Sequence, residues 1–538
     1  MKKFIALFLA AVMCFGLVAC GSDSSTPAAT QSSTSSSSNV ATENNAAAIA
    51  TTSERSKVVT IATSEGMASM DPQDGTTITL NTVIPMIWGT LLESDHTGNI
   101  TPCLAESYTI SEDGKDYSFT MKEGVVANDG EVINADDAIC SIQRIIDNPT
   151  LAAAASWTYL ESVEKIDDMN FIVHMSAPYA PSLALFAQMP IIPNEAYAKL
   201  GVSMFTEQKI TGAGPWTFVE WIDGQYIHLK KNENYWDKSW DSYFDEVYIR
   251  TISEASTAIS GMLSGEVDVF FNFPSDLKGM FDGHDEIEII NTKSSSMLYL
   301  QFQCSDKSIF NDVNVRRAFS MAIDRQAIAD ALTDGYTPAL GFTSDKTMGY
   351  DPDFSCEYYD YNPEAAKELL ASTSYDGSEL EIISFSGVSS AQQLMLAICE
   401  YANAVGFNCK CEVVEVAQIN ERRATGEYDM FMISAVNQNG DLWHTTAWRI
   451  ANDAHHHNYQ NDELKQLLLD ALAETNQETR NELYRKANVI CCEECAPYIT
   501  LWSLANLSSV RRGLTGVEIY SDGLYELKDI SYDPSLAK

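Results

Sequence analysis

The stretch from Glu379 to Ala435 constrains the fold more than any other part of the chain. "ELEIISFS" reads as a strand and "AQQLMLAICEYANAVG" as a helix ending at Gly406. "NCKCEVVEV" is a second strand, "AQINERRATG" a short helix, and "YDMFMISA" a third strand. Consecutive strand–helix–strand units cross over right-handedly, so this run predicts a parallel sheet and an α/β class. Ligands of open sheets bind beyond the carboxyl ends of the strands. The residues that leave the third strand there are Val436, Asn437, Gln438, Asn439, Gly440 and Asp441, which begin the loop "VNQNGDLWHTTAWRI". Topology alone assigns this loop to a ligand edge.

Other signals place the flanking elements. "SYTISEDGKDYSFTMKEG" alternates as a hairpin turning at Asp113-Gly114, and "GPWTFVEWIDGQYIHLKKN" as a second turning at Asp223-Gly224. Asn134 caps "NADDAICSIQRII", with Asp136 and Asp137 in the first turn, where negative charge favours the helix dipole. Asn362-Pro363 starts "NPEAAKELL" with proline at the first helical position. Thr475 and Glu478 form a capping box for "TNQETRNELYRKANVICC". At 538 residues the chain is long enough for two to four domains.

The N-terminus reads as an export signal. Lys2 and Lys3 precede an apolar run from Phe4 to Val18, and "LVAC" closes it at Cys20. From Gly21 to Ser56 the chain is mostly Ser, Thr, Ala and Asn, a composition that buries no core and predicts a flexible tether. No later stretch approaches the apolar length of a membrane span, so the mature protein is expected to be anchored rather than embedded. The formal charge is −41, which makes nucleic acid a poor partner because phosphates would meet a repulsive field.

Catalytic constellations are scarce. There is no HExxH, Walker A loop or GxSxG elbow. "SDLK" (Ser275 to Lys278) fits SxxK without the partner motifs, and "GAGPW" (Gly212 to Trp216) reads as a turn before a strand rather than a dinucleotide loop. His455, His456 and His457, with His444 nearby, are metal-ligating types, but consecutive histidines point in different directions, so an exposed loop is the expectation. Cys409 and Cys411 share a strand face with Phe407 and Val413 and are expected in the core. "CCEEC" (Cys491, Cys492, Cys495) lacks a second pair at zinc-ribbon spacing and falls on an apolar helical pattern. No metal and no cofactor is expected, and the chain reads as a binder.

Several segments together resemble the family 5 extracellular solute-binding proteins, the peptide- and nickel-binding receptors of bacterial ABC importers. They are "CLAESYTISEDGKDYSFTMKEGVVANDGEVINADDAICSIQRI", "GAGPWTFVEWIDGQYIHLKKNENYW", "FNDVNVRRAFSMAIDRQAI" and "YNPEAAKELLA", in the family's order and spacing. "VNVRRAFSMAIDRQAI" also reads as an amphipathic helix carrying Val315, Phe319, Ala322, Ile323 and Ala327 on one face. "LVAC" resembles a lipobox, which implies residues 1–20 as a lipoprotein signal peptide, lipidation at Cys20 and residues 21–56 as the tether.

The resemblance implies a type II periplasmic-binding-protein-like α/β fold, with two lobes and three domains joined by a hinge. Domain I would comprise residues 57–88, 205–293 and 505–538, domain II residues 89–204 as an insertion in lobe one, and domain III residues 294–504 as lobe two. The hinge would lie near residues 291–296 and 504–509. A peptide held between the lobes would be delivered to an ABC permease by a monomer anchored on the outer face of the cytoplasmic membrane. Nickel or an oligosaccharide is the alternative ligand within the family, and a surface peptidase or acyl-enzyme the alternative outside it.

The family often places an acid just after the strand corresponding to "YDMFMISA", and in its peptide binders that acid pairs with the ligand's ammonium. Gln438 stands at that position here, and Asp441 three residues on matches a second acid. Either Asp441 meets the amine or the ligand is no simple free-amine peptide. Asn437 joins this contact set. Trp443 and Trp448 are flat walls for ligand or lobe packing, and Arg449 meets a ligand carboxylate or a structural partner.

Overall fold

In the computed structural model residues 55–537 are described, except Thr97, Asp334, Ser386, Gly387, Ser389, Gln438, Asn439 and the side chain of His444. The predicted signal peptide, Cys20, nearly all of the predicted tether, and Gln438 therefore lie outside the described residues. Among the described residues no helix is long and apolar enough to cross a membrane.

Two long strands, Ile287–Phe302 and Tyr498–Arg511, pair antiparallel along most of their length and carry a mixed sheet. On one side the order continues through Met430–Ala435, Glu379–Phe385 and Asn408–Val414. On the other it continues through Val269–Phe273, Val58–Thr63, Glu246–Thr251, Tyr226–Lys231 and Trp216–Ile222. The pairings of Glu379–Phe385 with both Asn408–Val414 and Met430–Ala435 are parallel, as the crossover argument predicted. Helices Ala391–Ala404 and Val416–Thr425 make the connections. Met430–Ala435 meets Ile287–Phe302 antiparallel, so the sheet is mixed rather than wholly parallel.

The two long strands change register between Lys293 and Met297. Ser294, Ser295 and Ser296 fill the gap and are buried. Their polar groups are satisfied locally: the Ser294 hydroxyl donates to Ser521 O at 2.8 Å, the Ser295 hydroxyl to Asn437 O at 2.9 Å, and the Ser503 hydroxyl to Ser294 O at 2.8 Å. Serine suits a buried strand crossing of this kind, because its hydroxyl pairs with backbone carbonyls that the ladder leaves over.

Both predicted hairpins form, with Gly114 and Gly224 at φ +71° and +66°. The first belongs to a separate four-stranded antiparallel sheet that carries helix Ala135–Asp147, capped reciprocally by Asn134 and Asp137. The apolar core of this insertion (Phe119, Phe171, Phe186) is continuous with Trp443, Leu472 and Tyr484 from the far half of the chain. The insertion therefore packs directly on the segment assigned to lobe two as well as on its own neighbours. A second core fills the Glu379–Ala435 half of the sheet, around Phe302, Phe319, Ile382 and Leu394.

Three local expectations change. "VNVRRAFSMAIDRQAI" forms two helices, Val313–Met321 and Arg325–Leu332, because Asp324 turns the chain and its carboxylate accepts from Ala327 N–H at 2.9 Å. The helix Gln477–Glu494 is capped by Asn476, which accepts from Thr479 N–H at 3.0 Å, one residue later than the Thr475 box. Asn476 has the same reach with a better acceptor, and Thr475 is left on the preceding turn. The histidine run is only partly an exposed loop: His456 is exposed, His455 half-buried and His457 fully buried.

"GAGPW" leads into the strand Trp216–Ile222, and its backbone lies flat on the end of helix Ile78–Ile87. Gly214 N–H donates to Ile87 O at 2.9 Å, and a Cβ at Gly214 would overlap the Met86 carbonyl. Gly214→Ala is expected to lower stability by about 1–3 kcal/mol, the usual cost of overpacking. Urea unfolding followed by tryptophan fluorescence measures this, and an unchanged midpoint contradicts it.

Candidate functional site at the edge of the sheet

The loop after Met430–Ala435 runs along the boundary between the insertion and the 294–504 segment. It is held by its own polar groups. Asn437 is fully buried: its Oδ1 accepts from the Thr445 and Thr446 hydroxyls at 2.7 and 3.0 Å, and its carbonyl accepts from Ser295. Asn437 thus ties the loop to the register break in the long strands rather than lining a cavity. Gly440 O accepts from Met348 N–H at 2.9 Å. Residues Trp443–Ala447 make a wide π-type turn that continues into helix Trp448–Ala451.

Asp441 is buried and already has a cationic partner. Arg480 donates from Nη1 to Oδ2 at 2.8 Å and from Nη2 to Oδ1 at 3.0 Å, a bidentate pair, while Trp443 N–H donates to Oδ1 at 2.9 Å. Arg480 Nε donates to Ala471 O at 2.8 Å, and its Nη2 reaches the Tyr484 hydroxyl at 3.1 Å. Burial disfavours the arginine charge, but Asp441 and then Tyr484 outweigh it and raise the pKa of Arg480. The expectation that Asp441 serves a ligand ammonium meets a specific obstacle here: its charge is neutralised within the protein. Arg480 and Tyr484 were legible as an i, i+4 pair on one helix face, but the sequence reading did not connect them to Asp441.

Two cavities flank this loop. One, of about 310 Å³, is lined by Asn99, Tyr108, Pro181, Asp441, Gln477 and Arg480. The other, of about 470 Å³, is lined by Tyr159, Tyr179, Trp443, Trp448, Asn452 and Leu472. Both have the insertion on one side and the 294–504 segment on the other. Between them Ala180 N–H donates to Leu472 O at 2.9 Å. Trp443 is buried and Trp448 is 47% exposed, so the first supports the cavity wall and the second presents a free ring face. Tyr159 and Tyr179, which sequence reasoning missed, meet at a tilt of 38° with 4.9 Å between ring centroids. Burial, and then Asp441, raise the Tyr179 hydroxyl above the usual phenol range, so it stays a neutral donor.

Arg449 does not reach these cavities. It is half-buried in helix Trp448–Ala451. The histidines do not converge: His455 contacts Arg423 and Gln301, whereas His457 faces Asp453 and Arg449 O. Among the described residues no group of His, Cys, Asp and Glu is arranged to hold a metal ion. Cys409, Cys491, Cys492 and Cys495 are buried in the core, and burial pushes Cys495 up to about 12.

Removing one member of the buried pair leaves the other charge uncompensated. Asp441→Asn is therefore expected to destabilise the fold by about 3–5 kcal/mol. Thermal unfolding of the unliganded protein checks this, and a variant as stable as the parent contradicts it.

The segment 99–450 matches the model of the bacterial extracellular solute-binding proteins, family 5 Middle. The oligopeptide-binding protein AppA of Bacillus subtilis is 24% identical over 466 residues, covering 81% of this chain and 84% of that protein. Heme-binding protein A of Haemophilus influenzae is 28% identical over 436 residues, covering 74% and 78%. The solved structure of HbpA2 from Haemophilus parasuis superposes with a TM-score of 0.79 at 22% identity, over 88% of this chain and all of that one. With the mixed sheet and the inserted antiparallel sheet in place, these matches settle the family: the chain belongs to the family 5 solute-binding proteins of bacterial ABC importers.

Proposed function

We propose that this protein is a lipid-anchored receptor that captures peptides and presents them to an ABC permease, making no covalent change in them. Cys20 carries the lipid, residues 21–56 form the tether, and the receptor works as a monomer on the outer face of the cytoplasmic membrane. Residues 57–88, 205–293 and 505–538 form one domain, residues 89–204 the insertion, and residues 294–504 the opposing lobe.

The observation that carries this reading is the placement of both cavities. Each is walled by two segments distant in sequence, at the edge of the sheet where the Glu379–Ala435 crossovers end. A ligand touching both walls stabilises the closed arrangement over the open one, and only such a differential contact drives closure. The register break at Ser294–Ser296 is the proposed hinge, because it is the wider of the two places where the long strands lose continuous pairing. The oligopeptide-binding relative and the aromatic walls support a peptide, whose backbone amides pair with polar edges while its side chains lie on Trp448, Tyr159 and Tyr179. Trp443 backs Trp448, Asn437 and Asp441 hold the loop, and Gln438 belongs to the contact set on sequence grounds.

The four aromatic residues of the larger cavity, together with a heme-binding relative, favour a flat macrocycle as the second reading. Equilibrium dialysis against a random tripeptide pool, hemin and nickel separates these. Peptide binding weakened about tenfold by Trp448→Ala, within the range of a lost aromatic contact, is the expected result. Binding of hemin or nickel with no peptide retained overturns it.

A further inference from the structure

The ten cysteines of the described residues carry free thiols, and neither cavity is lined by one. Two of them are brought into contact by the crossover that joins strand Glu379–Phe385 to strand Asn408–Val414. Cys399, in the second half of helix Ala391–Ala404, donates from its thiol to Cys409 Sγ at 3.2 Å. Cys409 is the second residue of its strand, which forms the outer edge of the large sheet. Both residues are buried, at 5% and 7% exposure.

The surrounding structure fixes this contact. Asn403 follows Cys399 by one turn on the same helix face. Its Nδ2 donates to Cys409 O at 3.0 Å and its Oδ1 accepts from Cys409 N–H at 2.6 Å, so one side chain holds both main-chain polar groups of Cys409. Between the two cysteines the chain turns at Gly406, whose φ of +113° suits glycine. There Gly406 N–H donates to Asn403 O and Phe407 N–H to Ala402 O, each at 3.2 Å. The two sulfurs stand roughly 1 Å farther apart than in a disulfide bond, a gap that small side-chain rotations close. Cys411, two residues along the same strand face, is half-buried and lies 3.9 Å from Nε2 of Gln392, two helical turns before Cys399.

We propose that Cys399 and Cys409 are a redox-active pair that closes to a disulfide and staples helix Ala391–Ala404 to the edge strand of the sheet. The oxidant is a low-molecular-weight disulfide. The Cys409 thiolate attacks one of its sulfurs and expels a first small thiolate. Cys399, giving up its proton, then attacks the Cys409 sulfur of the mixed disulfide and expels the second. Two protein thiols and one small disulfide thus become one protein disulfide and two small thiols, which carry away both protons. An edge strand is paired on one side only, so fewer hydrogen bonds resist its local opening, and that opening admits the oxidant to the buried pair. Once formed, the bond closes a loop of about ten residues and restricts the same opening. The staple is independent of which ligand the receptor takes.

The test oxidises the folded, purified protein with glutathione disulfide, quenches it in acid, alkylates the remaining thiols without reduction and maps tryptic peptides by mass spectrometry. Cleavage after Lys410 separates Cys411 from the other two cysteines. A bond between Cys399 and Cys409 therefore leaves both in one unalkylated peptide lighter by two hydrogens, and this is the expected product. Alkylation of both cysteines, or a link from Cys399 to the peptide carrying Cys411, overturns the assignment. The second measurement is thermal unfolding before and after oxidation, for the parent and for Cys399→Ser, Cys409→Ser and Cys411→Ser. The midpoint is expected to rise by about 2–5 °C in the parent and in Cys411→Ser, the scale for a short loop in a large chain, and to return on reduction. Neither of the other two variants should gain it. A mapped Cys399–Cys409 bond that leaves the parent's midpoint unmoved overturns the staple, as does an equal rise in Cys399→Ser. Mapping and unfolding of the parent need no variant, so they decide the question even where a serine variant does not fold.

Discussion

The antiparallel pairing of Ile287–Phe302 with Tyr498–Arg511 is the constraint from which the rest of the structure follows. The two halves of the large sheet meet only through these two strands among the described residues, one half attaching through Val269–Phe273 and the other through Met430–Ala435. A pair of strands shared by both halves joins them firmly along the hydrogen-bond direction. It leaves bending where the ladder is interrupted. The wider of its two interruptions falls at three buried serines that bond both to Ser521, in the C-terminal segment, and to Asn437, in the loop after Met430–Ala435. The proposed hinge and the loop proposed to meet ligand are therefore one hydrogen-bonded unit.

The loop itself shows how a buried charge is made tolerable. Asp441 accepts from Arg480 and from Trp443 N–H, and Arg480 spends its remaining donors on Ala471 O and Tyr484. This network fixes three elements, the loop, the end of helix Asp462–Ala473 and helix Gln477–Glu494, in one geometry. The pair is better understood as a clamp that shapes the cavities than as an electrostatic handle for an amine. Arg423 presents the opposite case: it hydrogen-bonds to the His455 ring and to Asn420 Oδ1, and its Nε is buried without a partner among the described residues.

Much of this was legible in the sequence, for identifiable reasons. Strand and helix periodicity in Glu379–Ala435 is strong and uninterrupted, so the parallel strands and the location of the loop followed from the crossover rule. The turn glycines Gly114 and Gly224 and the caps Asn134 and Asn362 act locally, within a few residues, and local signals are readable. What was missed is long-range. Arg480 finds Asp441 across 39 residues, and Tyr179 meets Tyr159 from another strand turn; neither pairing leaves a trace in spacing. The break at Asp324 was hidden because its side chain overrode a helical pattern that is otherwise continuous. Burial of His457 was also invisible, since a polar run reads as surface until its packing partners are known.

In the proposed mechanism, ligand bridges two segments of the chain and changes how they sit about the serine crossing. Small-angle X-ray scattering of the purified protein, with and without a peptide that dialysis has shown to bind, tests it most directly. The expected result is a smaller radius of gyration when peptide is bound, reached at the same concentration that saturates binding. Identical scattering profiles for the free and the peptide-saturated protein would contradict it.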